Sequence, residues 1–587
     1  MNKDRKPTMT VYARFAALLL LSITGLYACG QDETGPAIVT DTARPPWAEF
    51  ATTAVAEYYR HRPERAVSAG LHQYDGQISD LGPESVAEYL AWVKKTRSDA
   101  NMYDDLEGME AFERDYLVVS MNEEEFNFET ADYLSRNPAV YVGQLGFSVY
   151  LDREYAPLDI RLRGYTRYVG HFPAYFETMQ SNLQPPLAMP FIEMSLTRLG
   201  GLVGYLETTV PEIFSSVEDE SLQAEFAAAN MAAAASVKQT VEWLEGLRET
   251  AHDDFALGAE RFLEMLRAAE GVDITLVELK AAGERDLERN LAMLDEACAK
   301  FAPGKSIAEC VQGVQDKKPD GGAVAGARAQ LPGLRKFLEE QKLVTIPGTE
   351  QALVDEAPPH RRTNSAYIRI PGPYEVGLPS VYYIAPPDPT WSEEDQLAYI
   401  PGESDLLFTS VHEVWPGHFL QYLHSNRARN NIGQHFGAYT FSEGWAHYTE
   451  EMMADAGLAD GRPDIRIGQL LNALLRNVRY LSAIGLHAEG MTVEESHKLF
   501  EEKAFADYGT AAQQSLRGTY DPGYLNYTLG KLMIRKLRED WTRGRGGREA
   551  WGRFHDQFLS YGYPPIPLVR QQMLGANYDG DMALLPR

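Results

Sequence analysis

Two histidines, His412 and His418, stand six positions apart, and a Pro416-Gly417 pair lies between them. Successive residues of an α-helix are rotated by about 100°, so a step of six turns the second side chain about 120° away from the first. Proline disfavours helical backbone at the residue before it, and glycine permits backbone angles that other residues avoid. The segment therefore cannot be one regular helix that presents both histidines on the same face.

Two local structures are compatible with this spacing. A bulge in one continuous helix would absorb the two extra residues and return His418 to the face of His412, and helical bulges are frequent at functional sites. Alternatively, Pro416-Gly417 ends the helix, and a histidine in the last turn interacts with the helix dipole. We favour the bulge, because glutamates elsewhere complete a set of metal ligands.

Glu413 follows the first histidine directly, and Glu443 comes 25 positions after His418. This interval leaves room for one helix, a loop and a returning helix. A carboxylate delivered in this way is a common third protein ligand of a zinc site that contains two histidines. The other interpretation is that Glu443 completes a helix-capping box that begins at Thr440.

Two further polar residues, His447 and Glu450, lie on the same helix face as Glu443. In a metal site they would support the ligands through hydrogen bonds, as outer partners of metal-binding histidines usually do. The other interpretation is an ordinary polar helix face in contact with solvent. We retain both residues as candidates for a supporting role.

Both segments resemble the motifs of a bacterial family known as domain of unknown function 885. The family motifs are H-E-x-x-P-G-H-H and E-G-W-A-x-Y-x-E, and this chain has HEVWPGH from His412 and SEGWAHYTE from Ser442. Phe419 stands where the family has a second adjacent histidine, and Ala483 stands where it often has an aspartate. The similarity extends from Trp47 to the end of the chain, through residues 64–84 with Gly70-Leu71-His72-Gln73-Tyr74-Asp75, Val381-Tyr382-Tyr383, Gly485-Leu486-His487 and Tyr527-Thr528-Leu529-Gly530.

This family is similar to zinc peptidases of the gluzincin type, and the resemblance implies both a fold and a mechanism. The fold would be mainly α, a large two-lobed helical structure around a central groove. One Zn²⁺ ion would be bound by His412, His418 and Glu443, and Glu413 would be the general base. Metal-activated water would then hydrolyse a peptide or another amide bond.

An amide hydrolase also needs a hydrogen-bond donor for the oxyanion that forms during attack. We predict Tyr527 in this role, with Tyr524 and His487 as the next candidates. The alternative for each is a packed aromatic residue or an ordinary histidine.

Charged side chains near the motifs are candidates for binding the substrate. Arg476, Arg479 and Arg517 either bind a substrate carboxylate or form structural ion pairs. The residues that we single out for substrate binding are Arg517, Tyr524 and Tyr383.

Helical periodicity dominates the chain. One stretch differs: residues 365–371 and 379–386 are β-branched and aromatic, with Pro and Gly at their ends, which predicts a small β-hairpin near the active site. The flanking prolines indicate an exposed edge, which either pairs with an extended peptide or forms a structural flap. The predicted helices are Ala51 to Tyr59, Glu84 to Arg97, Glu110 to Asn122, Leu222 to Thr250, Thr275 to Lys300, and one that runs from Tyr439 towards Gly457.

The amino terminus has the pattern of an export signal. A basic start precedes an apolar segment that ends Leu-Tyr-Ala-Cys-Gly, which resembles a bacterial lipobox with Cys29 as the lipidated residue. The alternative is an ordinary signal peptide with an incidental cysteine. We predict a lipoprotein signal over residues 1–29, a flexible tether over 30–46 and one helical hydrolase domain of two lobes over 47–587, with the active-site motifs in 360–530. The expected location is the outer membrane, facing the periplasm.

The remaining cysteines are Cys298 and Cys310. An exported protein meets an oxidising environment, so the two either form a disulfide or stay apart as buried thiols. Their spacing does not decide between these alternatives.

The charge balance limits the partners. Acidic residues outnumber basic ones by 84 to 55, for a net charge of −29, which argues against nucleic acid as a partner. The expected partners are a peptide substrate and, through the lipid anchor alone, a membrane. Besides the peptidase, two hypotheses remain: a non-catalytic binding or scaffold lipoprotein that retains the fold, and a metal hydrolase of a non-peptide substrate.

Overall fold

Helices form most of the structure, because apolar residues recur at helical spacing along most of the chain. The computed structural model describes residues 44–358, 361–362, 365–428, 430, 432–575, 578, 580–581 and 583–586. The predicted signal peptide, Cys29 and most of the predicted tether lie outside the described residues. The helices before residue 300 are α1 (Trp47–His61), α2 (Pro63–Ala69), α3 (Pro83–Asn101), α4 (Gly108–Glu125), α5 (Tyr133–Arg136), α6 (Pro138–Gly143), α7 (Ser148–Asp152), α8 (Leu158–Val169), α9 (Phe172–Asn182), α10 (Met189–Gly204), α11 (Val210–Phe214), α12 (Glu220–Leu247), α13 (Ala259–Glu270) and α14 (Leu276–Phe301).

The later helices carry the motifs identified in the sequence. They are α15 (Ile307–Gln315), α16 (Gly322–Gln341), α17 (Glu393–Tyr399), α18 (Glu403–Glu413), α19 (His418–Ser425), α20 (Tyr439–Met453), α21 (Pro463–Ile484), α22 (Val493–Ala504), α23 (Tyr508–Tyr520), α24 (Asn526–Thr542), α25 (Trp551–Leu559) and α26 (Ile566–Leu574).

Two large hydrophobic cores organise these helices. One core lies mainly among α5 to α12, and the other joins α1, α3 and α4 to the helices from α13 onward. The mainly α fold class is confirmed, and the predicted long helices coincide with α1, α3, α4, α12, α14 and α20. The metal-ligand motifs belong to the second core.

A small sheet interrupts the helices, with strands β1 (Ala352–Glu356), β2 (Ala366–Arg369) and β3 (Ser380–Ile384). The central strand, β3, is parallel to β1 and antiparallel to β2. The predicted hairpin of β2 and β3 is therefore present, and β2 stands at an edge of the sheet, but the sequence analysis missed β1, which makes β3 the central strand. Pro379 and Pro386 flank β3 outside its paired residues, so they remove no ladder hydrogen bond and permit a central position.

A buried network of charges joins α14, α20, α21 and α24. Lys531 on α24 forms an ion pair with Asp286 on α14, and Asn477 on α21 donates to the same carboxylate at 2.8 Å. Arg289 on α14 binds Glu451 on α20 at 2.6 Å. Because a buried charge is costly unless it is paired, this network favours one mutual arrangement of the four helices.

The two internal cysteines form a disulfide, which is the pairing that their spacing alone left open. Cys298 lies near the end of α14 and Cys310 lies in α15, twelve positions later. The bond ties α15 to α14, and α15 in turn contributes to one wall of the cavity that the metal-ligand motifs also line.

Candidate metal centre

The two histidines of the first motif lie on two separate helices rather than on one helix with a bulge. Helix α18 ends at Glu413, residues 414–417 form a turn, and α19 begins at His418. The expected bulge was therefore wrong. Pro416-Gly417 ends one helix, as the alternative interpretation held, and the turn then returns the chain so that His418 faces His412.

Gly417 makes this turn possible through its lack of a side chain. Its N–H donates to the carbonyl of Val411 at 2.9 Å, which folds the turn back over the end of α18. A Cβ atom at this position would stand only 1.7 Å from the carbonyl oxygen of His412. Only glycine fits so close to the helix backbone, and this close approach brings the two imidazoles together.

Three ligand atoms converge at the turn. One carboxylate oxygen of Glu443, on α20, lies 3.2 Å from Nε2 of His412 and 3.2 Å from Nε2 of His418. The ligand atoms of all three residues lie within 4.8 Å of one another. The structure thus brings together the three residues that the sequence analysis predicted as metal ligands.

The donor set and its spacing fit a zinc ion. Zinc in proteins prefers tetrahedral coordination by nitrogen, sulfur and carboxylate oxygen at about 2.0–2.2 Å, which places neighbouring donors about 3.3 Å apart. Oε2 of Glu443 lies at about this distance, 3.2 Å, from Nε2 of His412 and from Nε2 of His418. Two histidines and one carboxylate leave the fourth tetrahedral position free for water or substrate.

Supporting hydrogen bonds orient the first ligand. Nδ1 of His412 lies 2.7 Å from Oε1 of Glu450, so a proton on Nδ1 leaves Nε2 free to bind a metal. The other oxygen of Glu450 is 3.2 Å from Nδ1 of His447, and Arg476 lies 3.3 Å from Oε1. The predicted supporting residues, His447 and Glu450, are therefore in place, and neither is on a solvated face.

The protonation of this cluster follows from its charges. Burial raises the pKa of Glu443, but the nearby imidazoles of His418 and His412 outweigh this effect and hold the pKa well below its usual range. Burial lowers the pKa of His418, but Glu443 outweighs this effect and raises it to about 9. Without a metal, the cluster therefore retains a proton on His418 at neutral pH, and a metal must displace it.

Glu413 lies beside the ligands on the wall of the same cavity. Burial raises the pKa of Glu413, and the positive charges of His418 and His412 partly oppose this shift. A carboxylate with a raised pKa is a better proton acceptor at neutral pH than an ordinary surface glutamate. Its position and its environment are those that a general base requires.

A buried carboxylate distant in sequence fixes the start of α20. Glu270, at the end of α13, accepts hydrogen bonds from the backbone N–H of Tyr439 at 3.0 Å and from Thr440. Thr440 lies inside the helix and binds Glu270, so the alternative capping box with Glu443 does not form. Sequence reasoning missed Glu270, because no local pattern links positions 170 apart.

Two glycines let α20 and α24 touch backbone to backbone. A Cβ atom on Gly444 would stand 2.5 Å from Cα of Gly530, and one on Gly530 would stand 2.0 Å from the carbonyl oxygen of Thr440. This contact joins the helix that carries Glu443 to the helix that carries Tyr527. Glycine within a helical pattern was the available sequence signal, because it costs helix stability unless packing requires it.

A cavity of about 680 Å³ opens over the cluster. On one side, residues 365–368 at the edge strand β2 line it. On another side stand Tyr527 and three arginines of α21 and α23. The Tyr527 ring lies 6.0 Å from the His412 ring, and Arg517 donates to its hydroxyl at 3.3 Å. The volume is that of a typical ligand site.

Three predicted site residues lie elsewhere. His487 packs against Phe262 and binds the Gly518 carbonyl at 2.7 Å, with no place in the cavity wall. Tyr524 is fully buried and donates to Ser482 at 2.8 Å. Tyr383 also lies outside the cavity wall. The predictions of catalysis for His487 and of substrate contact for Tyr524 were therefore wrong, because both side chains are buried in the core and their polar atoms bind other residues there. Tyr383 is only partly buried, and its contact with a substrate stays a prediction.

A neighbouring tyrosine lines the cavity, and a buried arginine supports the metal-ligand cluster. Tyr367 of β2, whose ring is 5.3 Å from that of Tyr383, lines the cavity in its place. Of the two roles considered for Arg476, substrate binding or a structural ion pair, the structure shows the ion pair, which it forms with Glu450 at 3.3 Å within the cluster.

Known proteins share the sequence pattern and the fold of this chain. The sequence model of a family described as "Bacterial protein of unknown function (DUF885)" matches residues 63–573. A candidate lipoprotein of unknown function from Shewanella oneidensis superposes with a TM-score of 0.75 at 22% identity, over 91% of this chain and 100% of the other. A candidate lipoprotein from Colwellia psychrerythraea gives 0.74 at 16% identity, over 90% and 98%. No curated protein matches significantly.

No helix in the described part of the chain is long and apolar enough to cross a membrane.

Proposed function

The chain belongs to the DUF885 family, and we propose that it is a zinc-dependent peptidase or amide hydrolase. One observation carries the proposal: the ligand atoms of His412, His418 and Glu443 lie within 4.8 Å of one another on the wall of a large cavity. A buried glutamate, Glu413, stands beside them. A purely structural zinc site is usually closed by four protein ligands, whereas this cluster has three and opens to a cavity.

A bound zinc ion would polarise the substrate carbonyl and make a water molecule more acidic. Glu413 accepts the proton of that water as it attacks the carbonyl carbon, and then passes the proton to the leaving nitrogen. Glu450 keeps a proton on Nδ1 of His412, which fixes the orientation of the ring.

Tyr527 is suited to bind the oxyanion. Burial raises the pKa of its hydroxyl, an effect that the Arg517 guanidinium reduces, so the phenol stays protonated at neutral pH and can donate. The ring stacks 6.0 Å from that of His412. A donor placed before the reaction stabilises developing negative charge without reorganisation.

The cavity wall favours an extended peptide as the substrate. Residues 365–368 line the cavity, and β2 stands at one side of the sheet, where a strand has backbone groups that a substrate can pair with. A cavity of about 680 Å³ has room for a few residues. These two features support a peptide over a compact non-peptide substrate.

Metal analysis of the purified protein tests the proposal. We expect about one zinc ion per chain in the wild type and near-zero zinc in His412→Ala, while His424→Asn, on α19 outside the cluster, keeps its zinc. Equal, near-zero zinc in the wild type and in His412→Ala would sink the proposal. Glu413→Gln should retain zinc and lose turnover of a peptide library; zinc binding without turnover in the wild type would instead identify a binding module.

We also infer that a lipid on Cys29 anchors the mature chain at the outer membrane, facing the periplasm. The lipobox-like sequence and the description of two structural relatives as candidate lipoproteins support this location. Cys29→Ala should abolish labelling by radioactive palmitate and move the protein out of the membrane fraction. Equal labelling of both proteins would refute the anchor.

A further inference from the structure

The three arginines around Tyr527 differ in their partners. Arg476 forms an ion pair with Glu450 at 3.3 Å, and Arg517 forms one with Asp521 at 2.9 Å. Arg479 has no carboxylate within salt-bridge distance among the described residues, and its one hydrogen bond there runs from Nε to the side-chain oxygen of Gln514 at 2.8 Å. Within the described part of the chain, Arg479 is therefore the one arginine of the three without a counter-charge.

This lone charge is costly where it stands. Arg479 is only 8% exposed, and its burial, together with the nearby positive charge of Arg517, lowers its pKa to about 10. It therefore remains protonated at neutral pH. A buried charge that lacks a partner destabilises the fold, and such groups concentrate at functional sites.

Arg479 faces the cavity of the metal centre. It belongs to the cavity wall, and its Cζ atom lies 4.8 Å from the ring centroid of Tyr527, which in turn stacks 6.0 Å from the His412 ring. An extended peptide advances about 3.3 Å per residue, so the guanidinium lies within about three residues of the metal centre. The Nη atoms donate to no protein acceptor among the described residues, so they can form the two parallel hydrogen bonds that a carboxylate takes from arginine.

We propose that Arg479 binds a substrate carboxylate, so that the enzyme acts on peptides close to a free carboxylate. This inference rests on the proposed hydrolase function and adds a substrate class to it. Every peptide offers this group at its C terminus, and aspartate and glutamate side chains offer it elsewhere. The short distance to the metal centre favours the C-terminal carboxylate and hence removal of one or a few terminal residues.

Binding measurements test the inference without relying on turnover. Protein that carries Glu413→Gln is dialysed to equilibrium against N-acetyl tripeptides that lack acidic residues, in free-acid and C-terminally amidated forms, and bound peptide is quantified by mass spectrometry. Hydrogen bonds between charged partners are stronger than neutral ones, so we expect the free acids to bind about 10-fold to 100-fold more tightly. A second set of amidated peptides, each with one Asp or Glu, tests whether the bound carboxylate can come from a side chain.

Variants locate the effect. Arg479→Gln should abolish the preference for the free acid, and Arg479→Lys should retain part of it, because lysine keeps the charge but not the two parallel donors. Arg466→Gln, on the same helix but paired with Asp455 away from the metal centre, should retain the full preference. The inference would be overturned if the protein that retains Arg479 bound free acids and amides equally. It would also be overturned if the preference for free acids survived Arg479→Gln.

The outcomes separate this inference from the hydrolase proposal. Zinc-dependent turnover with equal binding of acids and amides would leave the hydrolase standing and remove the carboxylate site. The protein could instead show a carboxylate preference that depends on Arg479 and yet neither bind zinc nor hydrolyse peptides. That result would support the carboxylate site and refute the hydrolase proposal.

Discussion

Oε1 of Glu450 lies 2.7 Å from Nδ1 of His412, on the side of the imidazole opposite the metal-ligand cluster. The carboxylate is fully buried, and although burial raises its pKa, Arg476 and His447 outweigh this effect and hold the pKa well below its usual range. Glu450 therefore stays ionised and accepts the Nδ1 proton. We predict that Glu450→Gln weakens zinc binding by about 10-fold to 100-fold, as loss of such a partner does in other zinc sites.

Competition with a chromophoric chelator measures this affinity. The matched control is Glu502→Gln on α22, because Glu502 lies outside the cluster and should leave the affinity unchanged. An unaltered zinc affinity in Glu450→Gln would show that the hydrogen bond does not orient the ligand.

Zinc affinity should depend steeply on pH. The pKa of His418 is raised to about 9, so at lower pH the metal must displace one proton from this residue. Between about pH 6 and pH 9, each unit of acidification should lower the apparent zinc affinity about tenfold. Titration with zinc at several pH values measures the slope, and an affinity that is constant over this range contradicts the protonated cluster.

Gly417→Ala should disrupt the centre through the turn rather than through the ligands. The new methyl group would stand 1.7 Å from the carbonyl oxygen of His412, so the backbone must move. We expect a loss of about 3 kcal/mol or more in the free energy of unfolding, measured with urea, and weaker zinc binding. Gly333→Ala in α16 is the control, because its methyl group meets no atom within 4 Å and should stabilise the helix slightly. Equal stability of the two variants would contradict this description of the turn.

His72→Gln should lower stability in a pH-dependent manner. Burial lowers the pKa of His72, but the hydrogen bond to Asp75 and the nearby carboxylate of Glu375 outweigh this effect and raise it to about 9. A raised histidine pKa stabilises the fold fully below the unfolded value of about 6.5, and the contribution disappears as pH rises through about 9. Because the side chain is partly exposed, we expect a difference of about 1 kcal/mol at pH 6 that vanishes near pH 10. Urea unfolding at both pH values measures it, and a difference that grows with pH has the wrong sign.

Removal of the disulfide should destabilise the protein. The bond closes a loop between residues 12 positions apart, which corresponds to about 3 kcal/mol in a chain-entropy estimate. The double variant Cys298→Ala/Cys310→Ala should lose about this much in urea unfolding, and reduction of the wild type should have a comparable effect. Identical unfolding midpoints with and without reductant would show that the bond contributes little.

The ligand set could be predicted from the sequence because each part of it is local. Glu443 and Glu450 share a helix face, so their relative position follows from helical geometry. His412 and Glu413 are adjacent in the chain. The resemblance to a known motif supplied the remaining link between the two helices.

The features that the sequence analysis missed or predicted wrongly depend on contacts between distant residues or on details of the backbone. The choice between a bulge and a break at Pro416 depends on whether Gly417 can pack against the end of α18, which no spacing rule states. Glu270 reaches α20 from far along the chain. His487 and Tyr524 belong to segments similar to the family, but their side chains are buried in the core, and similarity alone does not distinguish a packing residue from a site residue.

Gly444 and Gly530 have a consequence for how this protein can change over evolutionary time. Because the two helices meet at their main chains, the separation between the glutamate ligand and Tyr527 does not depend on which side chains fill the surrounding core. Many core substitutions can therefore accumulate without altering the distances on which the chemistry depends. One methyl group at either glycine, in contrast, would move the two helices apart, so these two positions should tolerate substitution least.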